Sequence, residues 1–271
     1  CGLLAWLGEG QVFGYTPCFI VAQQLTLGSV DMVLISIGLA SSPMHLANPK
    51  NAWRSFSRFR TSWLSREAVF AILLYPMAAL YAAAIFLQWP SINLLAGLSI
   101  ILALVTLFTT SMIYASLKTI RQWNTPMVPA LFMAYALISG GSLFLAVNSF
   151  FGALNYQLLA VVMGLVLITL ALKLVYFFWQ GKPQGATIQT ATGFSQASVR
   201  LFDAGHSAPT FLIREFGYQV AADLLLRLRI VMTLVTFIVP LGLFYWVFDG
   251  AGRTELLAVA WFAMMAGLLL E

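Results

Sequence analysis

The sequence predicts an all-α integral membrane protein: a bundle of eight transmembrane helices with a short amphipathic interfacial helix after the second span. Three observations predict it. Of 271 residues, 61% are hydrophobic and 8% are charged, against about 45–50% apolar and about 25% charged in soluble domains. A chain this apolar (mean hydropathy +0.90) has more hydrocarbon surface than one aqueous core can hide, so lipid is part of its solvent. The apolar residues fall into runs of roughly 20, the length that crosses about 30 Å of hydrocarbon. The bases gather between those runs.

The chain reads as one membrane domain, 1–271, and its elements follow in order. Span one covers 2–25 and holds Glu9, Gly10 and Gln11. Span two covers 30–47, with Pro43 breaking its end. Asn48-Pro49 then starts the interfacial helix, with Asn as cap and Pro in the first turn, where its missing N–H costs nothing. At about 100° per residue, Lys50, Arg54 and Arg58 share one arc, while Ala52, Trp53, Phe56 and Phe59 share the opposite one. That is the pattern of a helix lying in a membrane surface. Spans three and four are the apolar runs 67–88 and 91–117. Span five, 126–148, contains Gly140-Gly141-Ser142, small residues suited to close helix packing. Span six, 154–180, carries Lys173 about 10 Å inside its end. Snorkelling to the surface and contact with a bound group are both open to that lysine. The connection 181–225 opens polar and loose as GKPQGATIQTATGFSQAS, then becomes TFLIREFGYQVAADLL, a short interfacial helix leading into span seven, 226–248. Span eight is 254–271. The chain starts at Cys1 without methionine and stops inside an apolar run, so both ends read as trimmed.

Charge placement sets the sides. The link between spans two and three holds Lys50, Arg54, Arg58, Arg60 and Arg66. Lys118 and Arg121 lie between spans four and five, and Lys182, Arg200, Arg214, Arg227 and Arg229 around the long connection. Twelve of the fourteen bases therefore share one face, with Arg253 opposite and Lys173 inside a span. The positive-inside rule makes the basic face cytoplasmic. Five bases in one link exceed what orientation needs, which points to anionic lipid, at about 1 kcal/mol per base, or to an acidic partner surface.

Cysteine use excludes some chemistry. Cys1 and Cys18 are the only two, and no C-x-x-C exists. This chain therefore supplies no iron–sulfur cluster and no structural zinc site. A transporter would show charges or broken helices at the membrane midplane and internal repeats. Mid-span charges are few and no repeat is evident. A transporter and a passive anchor remain the rival classes, and no nucleic-acid partner is expected.

The most informative stretch is 44–67, MHLANPKNAWRSFSRFRTSWLSRE. His45 ends span two and Glu67 begins span three, so the link returns them to one depth. An acid at a helix start also complements the helix dipole, and a histidine at an interface is often simply hydrogen-bonded. Ionisable groups at the edge of lipid are costly, however. Histidine titrates near neutrality, and the natural role for the pair is proton exchange with a lipid-soluble redox carrier.

This stretch resembles the signature of the dimethyl sulfoxide reductase anchor family. The matching features are His-Leu-Ala-x-Pro, an Ala-Trp position, a basic run and Leu-Ser-x-Glu. WNTPM at 123–127 and Gly10-Gln11 resemble two further family features. The resemblance implies a subunit that anchors a molybdopterin catalytic subunit and a four-cluster ferredoxin-like iron–sulfur subunit to the bacterial cytoplasmic membrane. It implies exchange of electrons with a quinone, ubiquinone or menaquinone, beside the clusters. It places the family's functional histidine and glutamate on His45 and Glu67. Arg60, Trp63, Gln11 and Lys173 are expected around the quinone, and Lys50, Arg54, Arg58, Arg60 and Arg66 on the docking surface. The basic, cytoplasmic docking link resembles the quinone-reducing sulfite dehydrogenase branch. A dimethyl sulfoxide reductase-type anchor oxidising quinol is the alternative. Haem b would need His45 and His206, the only two histidines, and His206 lies in a connection. The expectation is an anchor without haem.

Overall fold

A computed structural model of the chain describes residues 56–118, 120–152, 154–180, 222–250 and 253–270, together with 26, 28–30, 32–38, 41, 53, 192 and 193. Regular structure among them is helical, with no strand. The helices are α1 (Gly28–Gly38), α2 (Trp63–Leu87), α3 (Ile92–Ala115), α4 (Met127–Phe150) and α5 (Tyr156–Gln180). They continue with α6 (Ala222–Thr233), a π-helical turn (Leu234–Ile238), α7 (Val239–Phe248) and α8 (Leu256–Leu269). Five helices are long and apolar enough to cross a membrane: α2, α3, α4, α5 and the continuous stretch Leu224–Phe248. They coincide with expected spans three to seven. Where spans two and eight are expected, the described residues form the shorter apolar helices α1 and α8. Span one and most of the connection 181–225 lie outside the described residues. In the region of the expected interfacial helix, the described positions Trp53 and 56–58 are in 3₁₀ turns, and the chain then turns through 59–61.

Local chemistry explains the ends. Gln88 closes α2 in the left-handed region at φ 51°, donating its N–H to the Ala84 carbonyl. The Trp89 N–H reaches the same carbonyl at 3.0 Å, and Pro90 cannot continue the helix. Asn155 starts α5 by accepting bonds from the N–H groups of Gln157 (2.9 Å) and Leu158 (3.1 Å), the usual service of an Asn cap. The π turn precedes Pro240. Proline has no N–H for its own i−4 carbonyl, and its ring crowds that carbonyl. Widening the turn just before it relieves the crowding without breaking the span.

Consecutive helices pack as neighbours: α2 on α3, α3 on α4, α4 on α5. α8 closes the bundle against α4, α7 and the π turn. The core lies among α4, α5, the π turn, α7 and α8, with Ile138, Leu145, Leu159, Val162, Phe237, Phe244, Leu257 and Met264 all fully buried. Lipid offers little hydrophobic drive for helix association, so close packing and small residues hold the helices together. Gly141 and Ser142 of α4 are buried as expected for small residues at a contact. The Ser142 hydroxyl lies 3.7 Å from Met264 Sδ on α8. Gly267 of α8 presses on Thr236 of the π turn so closely that a Cβ there would collide with the Thr236 side chain and approach its backbone nitrogen to 2.7 Å. Large apolar side chains such as Phe86 and Phe178 are 73% and 70% exposed, which suits contact with acyl chains.

Apart from Lys173, inside α5, the described bases respect the two faces. Arg58, Arg60 and Arg66 adjoin the start of α2, Lys118 and Arg121 lie between α3 and α4, and Arg227 and Arg229 are in α6. Arg253 lies at the other face, between α7 and α8.

Candidate functional site

The site is built where α2 begins and α3 ends. Before α2, the Arg58 carbonyl accepts the N–H groups of Thr61 (3.1 Å) and Ser62 (3.0 Å), which turns the chain into the helix. Arg66 then fastens this turn. Its Nε donates to the Phe59 carbonyl at 3.0 Å and its Nη2 to the Arg60 carbonyl at 2.8 Å. The same guanidinium lies 4.2 Å from the centre of the Trp63 ring, a favourable cation–π distance. Trp63 in turn meets Phe108 of α3 edge-on at 6.1 Å, and Phe59 meets Phe70 at 5.9 Å. An aromatic collar thus ties the basic turn, α2 and α3 together.

Glu67 lies on α2 between Trp63 and Phe70 of that collar, one turn beyond Trp63. The sequence places it at the start of span three; in the structure α2 begins four residues earlier, at Trp63. The helix can start sooner because Arg66 satisfies its charge backward on turn carbonyls and does not interrupt the apolar face. Glu67 is therefore held by a full helical turn, half-buried. Thr110 Oγ1 of α3 donates to its Oε1 at 2.9 Å. Among the described residues Thr110 is its hydrogen-bond partner. Arg58 and Arg60 are exposed.

Further along α2 and α3, the described residues of α1, α2, α3, α4 and α8 line a half-open cavity of about 880 Å³. Its walls are mostly apolar, with Met32, Leu74, Ala78, Ala103, Leu107 and Trp261 among them. Tyr75, Ser99 and Ser139 add hydroxyls. Tyr75 also links α2 to α1 through Ser36, oxygen to oxygen at 3.0 Å. Leu107 lies one turn from Thr110 along α3, and Leu74 two turns from Glu67 along α2, about 10 Å at the helical rise. The carboxyl thus stands at the basic-face end of the two helices that wall the cavity.

Lys173 lies elsewhere. It is 2% exposed, so it does not snorkel to the surface. Its Nζ faces three rings, Phe177 at 4.7 Å, Tyr176 at 5.0 Å and Tyr135 at 5.9 Å. Arg229 reaches the same Phe177 ring at 5.1 Å and donates to Gln180 Oε1 at 2.8 Å. This second cluster sits between α4, α5 and α6, and Lys173 is not among the cavity walls. Gln11, His45, Lys50, Arg54 and His206 lie outside the described residues. Among the described residues no three His, Cys, Asp or Glu side chains converge as a metal site.

Two features escape a sequence reading. Thr110 was signalled only by the hydroxyl run Thr109-Thr110-Ser111 inside an apolar span. The cage around Lys173 was signalled by the aromatic run 176–179 one turn further on.

The family model described as "DMSO reductase anchor subunit (DmsC)" matches residues 22–271. The chain is also similar to the sulfite dehydrogenase C subunit of Allochromatium vinosum, 31% identical over a 294-residue alignment that covers 100% of this chain and 88% of that protein. No solved structure matches it.

Proposed function

Since this chain belongs to the DMSO reductase anchor subunit family, we propose that it is the membrane anchor and quinone-reactive subunit of a molybdopterin/iron–sulfur oxidoreductase complex. Electrons pass from the clusters of a ferredoxin-like partner, docked on the basic rim, to a quinone in the membrane. The reaction is quinone plus two electrons and two protons giving quinol. Glu67 relays protons from the basic side, and His45 holds a quinone oxygen. The isoprenoid tail lies in the apolar cavity or in lipid beside it. No haem belongs to this reading.

The observation that carries the proposal is the Glu67–Thr110 contact at 2.9 Å. It fixes a half-buried carboxyl above an apolar cavity, at the face where the bases stand. A passive anchor has no use for such a costly group. The likeness to a sulfite dehydrogenase component along the whole chain supports quinone reduction driven by a cytoplasmic sulfite-oxidising partner. The family description itself favours a second reading, an anchor that oxidises quinol for a dimethyl sulfoxide reductase-type partner.

The test is Glu67→Gln in the assembled complex. Transfer to a soluble quinone analogue is expected to fall about 100-fold, the typical weight of a positioned proton-transfer group. Oxidation of the catalytic partner's substrate by a water-soluble dye should be unchanged. An unaltered quinone-linked rate sinks the proposal and leaves a passive anchor.

A further inference from the structure

Thr110 Oγ1 stands 2.9 Å from Glu67 Oε1 and also 2.9 Å from the Thr106 carbonyl of its own helix. A threonine hydroxyl has one hydrogen to give and lone pairs to receive. It serves one of these two acceptors at a time. When Glu67 is ionised, the hydrogen goes to the carboxylate, since charged acceptors form the stronger bond. The Thr106 carbonyl is not then left bare, because Thr109 Oγ1 donates to it at 2.8 Å. When Glu67 is protonated, its own O–H donates to Thr110 Oγ1, and Thr110 turns its hydrogen to Thr106. In each state the Thr110 hydroxyl, Glu67 Oε1 and the Thr106 carbonyl keep a partner, and the heavy atoms need not move.

We infer that Thr110 is a positioning residue for Glu67, a hydrogen-bond switch that holds the carboxyl in one place through both its charged and its neutral state. This rests on the proposed role of Glu67 in quinone-linked proton exchange. Burial makes the arrangement matter: a polar group away from water is costly in whichever state it loses its partner. A threonine that merely satisfied its hydroxyl on the preceding turn would need only Thr106, and the carboxyl beside it would have no consequence.

The experiment uses the assembled complex with Thr110→Val, which keeps the shape and removes the hydroxyl, and Thr110→Ser, which keeps the hydroxyl. Thr110→Ala serves as a second hydroxyl-free variant should valine impair assembly. Infrared difference spectra are taken on quinone reduction, with the Glu67 carboxyl band identified by its loss in Glu67→Gln. The hydroxyl-free variant is expected to move that band and lower kcat with the quinone analogue about tenfold, with KM little changed. Thr110→Ser restores both. A band and a kcat unchanged without the hydroxyl overturn the inference, while a slow Glu67→Gln variant still upholds the role of Glu67. If Glu67→Gln is itself fully active, both fall together.

Discussion

Arg66 shows how far a single side chain departs from what its position suggests. In sequence it is one of five bases in a link, and its natural use is on a docking surface. In the structure its guanidinium bonds two backbone carbonyls and lies on Trp63. Two charge-assisted bonds to the main chain of a half-buried group are worth about 1–2 kcal/mol after screening. Arg66→Ala should therefore loosen the turn without unfolding the bundle. Arg58 and Arg60 are exposed, so trypsin should cut there several-fold faster in the variant than in the parent, read on gels of the detergent-purified anchor after the soluble partners have been stripped from it. Equal cutting rates would mean that the clasp contributes nothing. At this scale the sequence told which residues were chemically unusual, Glu67 and Lys173 above all, because a charge in an apolar run is conspicuous. It did not tell their partners. Thr110 lies 43 residues from Glu67, and only packing of α2 on α3 brings them together.

Elements were more legible than contacts. Spans three to seven announce themselves as apolar runs, since a helix that meets lipid on most sides must be apolar on most sides. Their ends shifted where a polar side chain folds back on the backbone, as Arg66 does at the start of α2. The π turn was not legible as such, although Pro240 marked the place where a regular helix would be crowded. Its packing gives a sharp expectation. Thr236 is fully buried and fills the space where a Cβ on Gly267 would stand. Gly267→Ala must push α8 away from the π turn, at a cost of about 1–3 kcal/mol. Thermal unfolding in detergent should show a lowered Tm, and the yield of assembled complex should fall. Gly97, with open space around its Cα, is the control: Gly97→Ala should leave the Tm unchanged or slightly raised, as alanine favours the helix. A Gly267→Ala protein as stable as its parent would show that α8 does not seat on Thr236.

For the whole molecule, the distribution of bases made the two faces readable, because orientation in a membrane follows Lys and Arg near the span ends. The described helices keep those bases together at one face, with Arg253 at the other. The cytoplasmic assignment is tested by single cysteines in a protein with Cys1 and Cys18 changed to serine. Lys118→Cys should react with a membrane-impermeant maleimide in inverted vesicles, and Arg253→Cys in right-side-out spheroplasts. The reverse pattern would put the catalytic arm outside the cell and favour the quinol-oxidising reading. The arrangement of helices around the cavity was not readable, because apolar runs carry little record of which face meets which neighbour. A consequence of the Arg66 clasp belongs at this scale too. Main-chain oxygens are supplied by every amino acid, so the outward side chains at 58 and 60 are free to change without slackening the grip. A lineage adapting to a different soluble companion can rewrite that short stretch letter by letter while the acid below keeps its station. Divergence between such lineages should be written first in the loop and last in the helices it fastens.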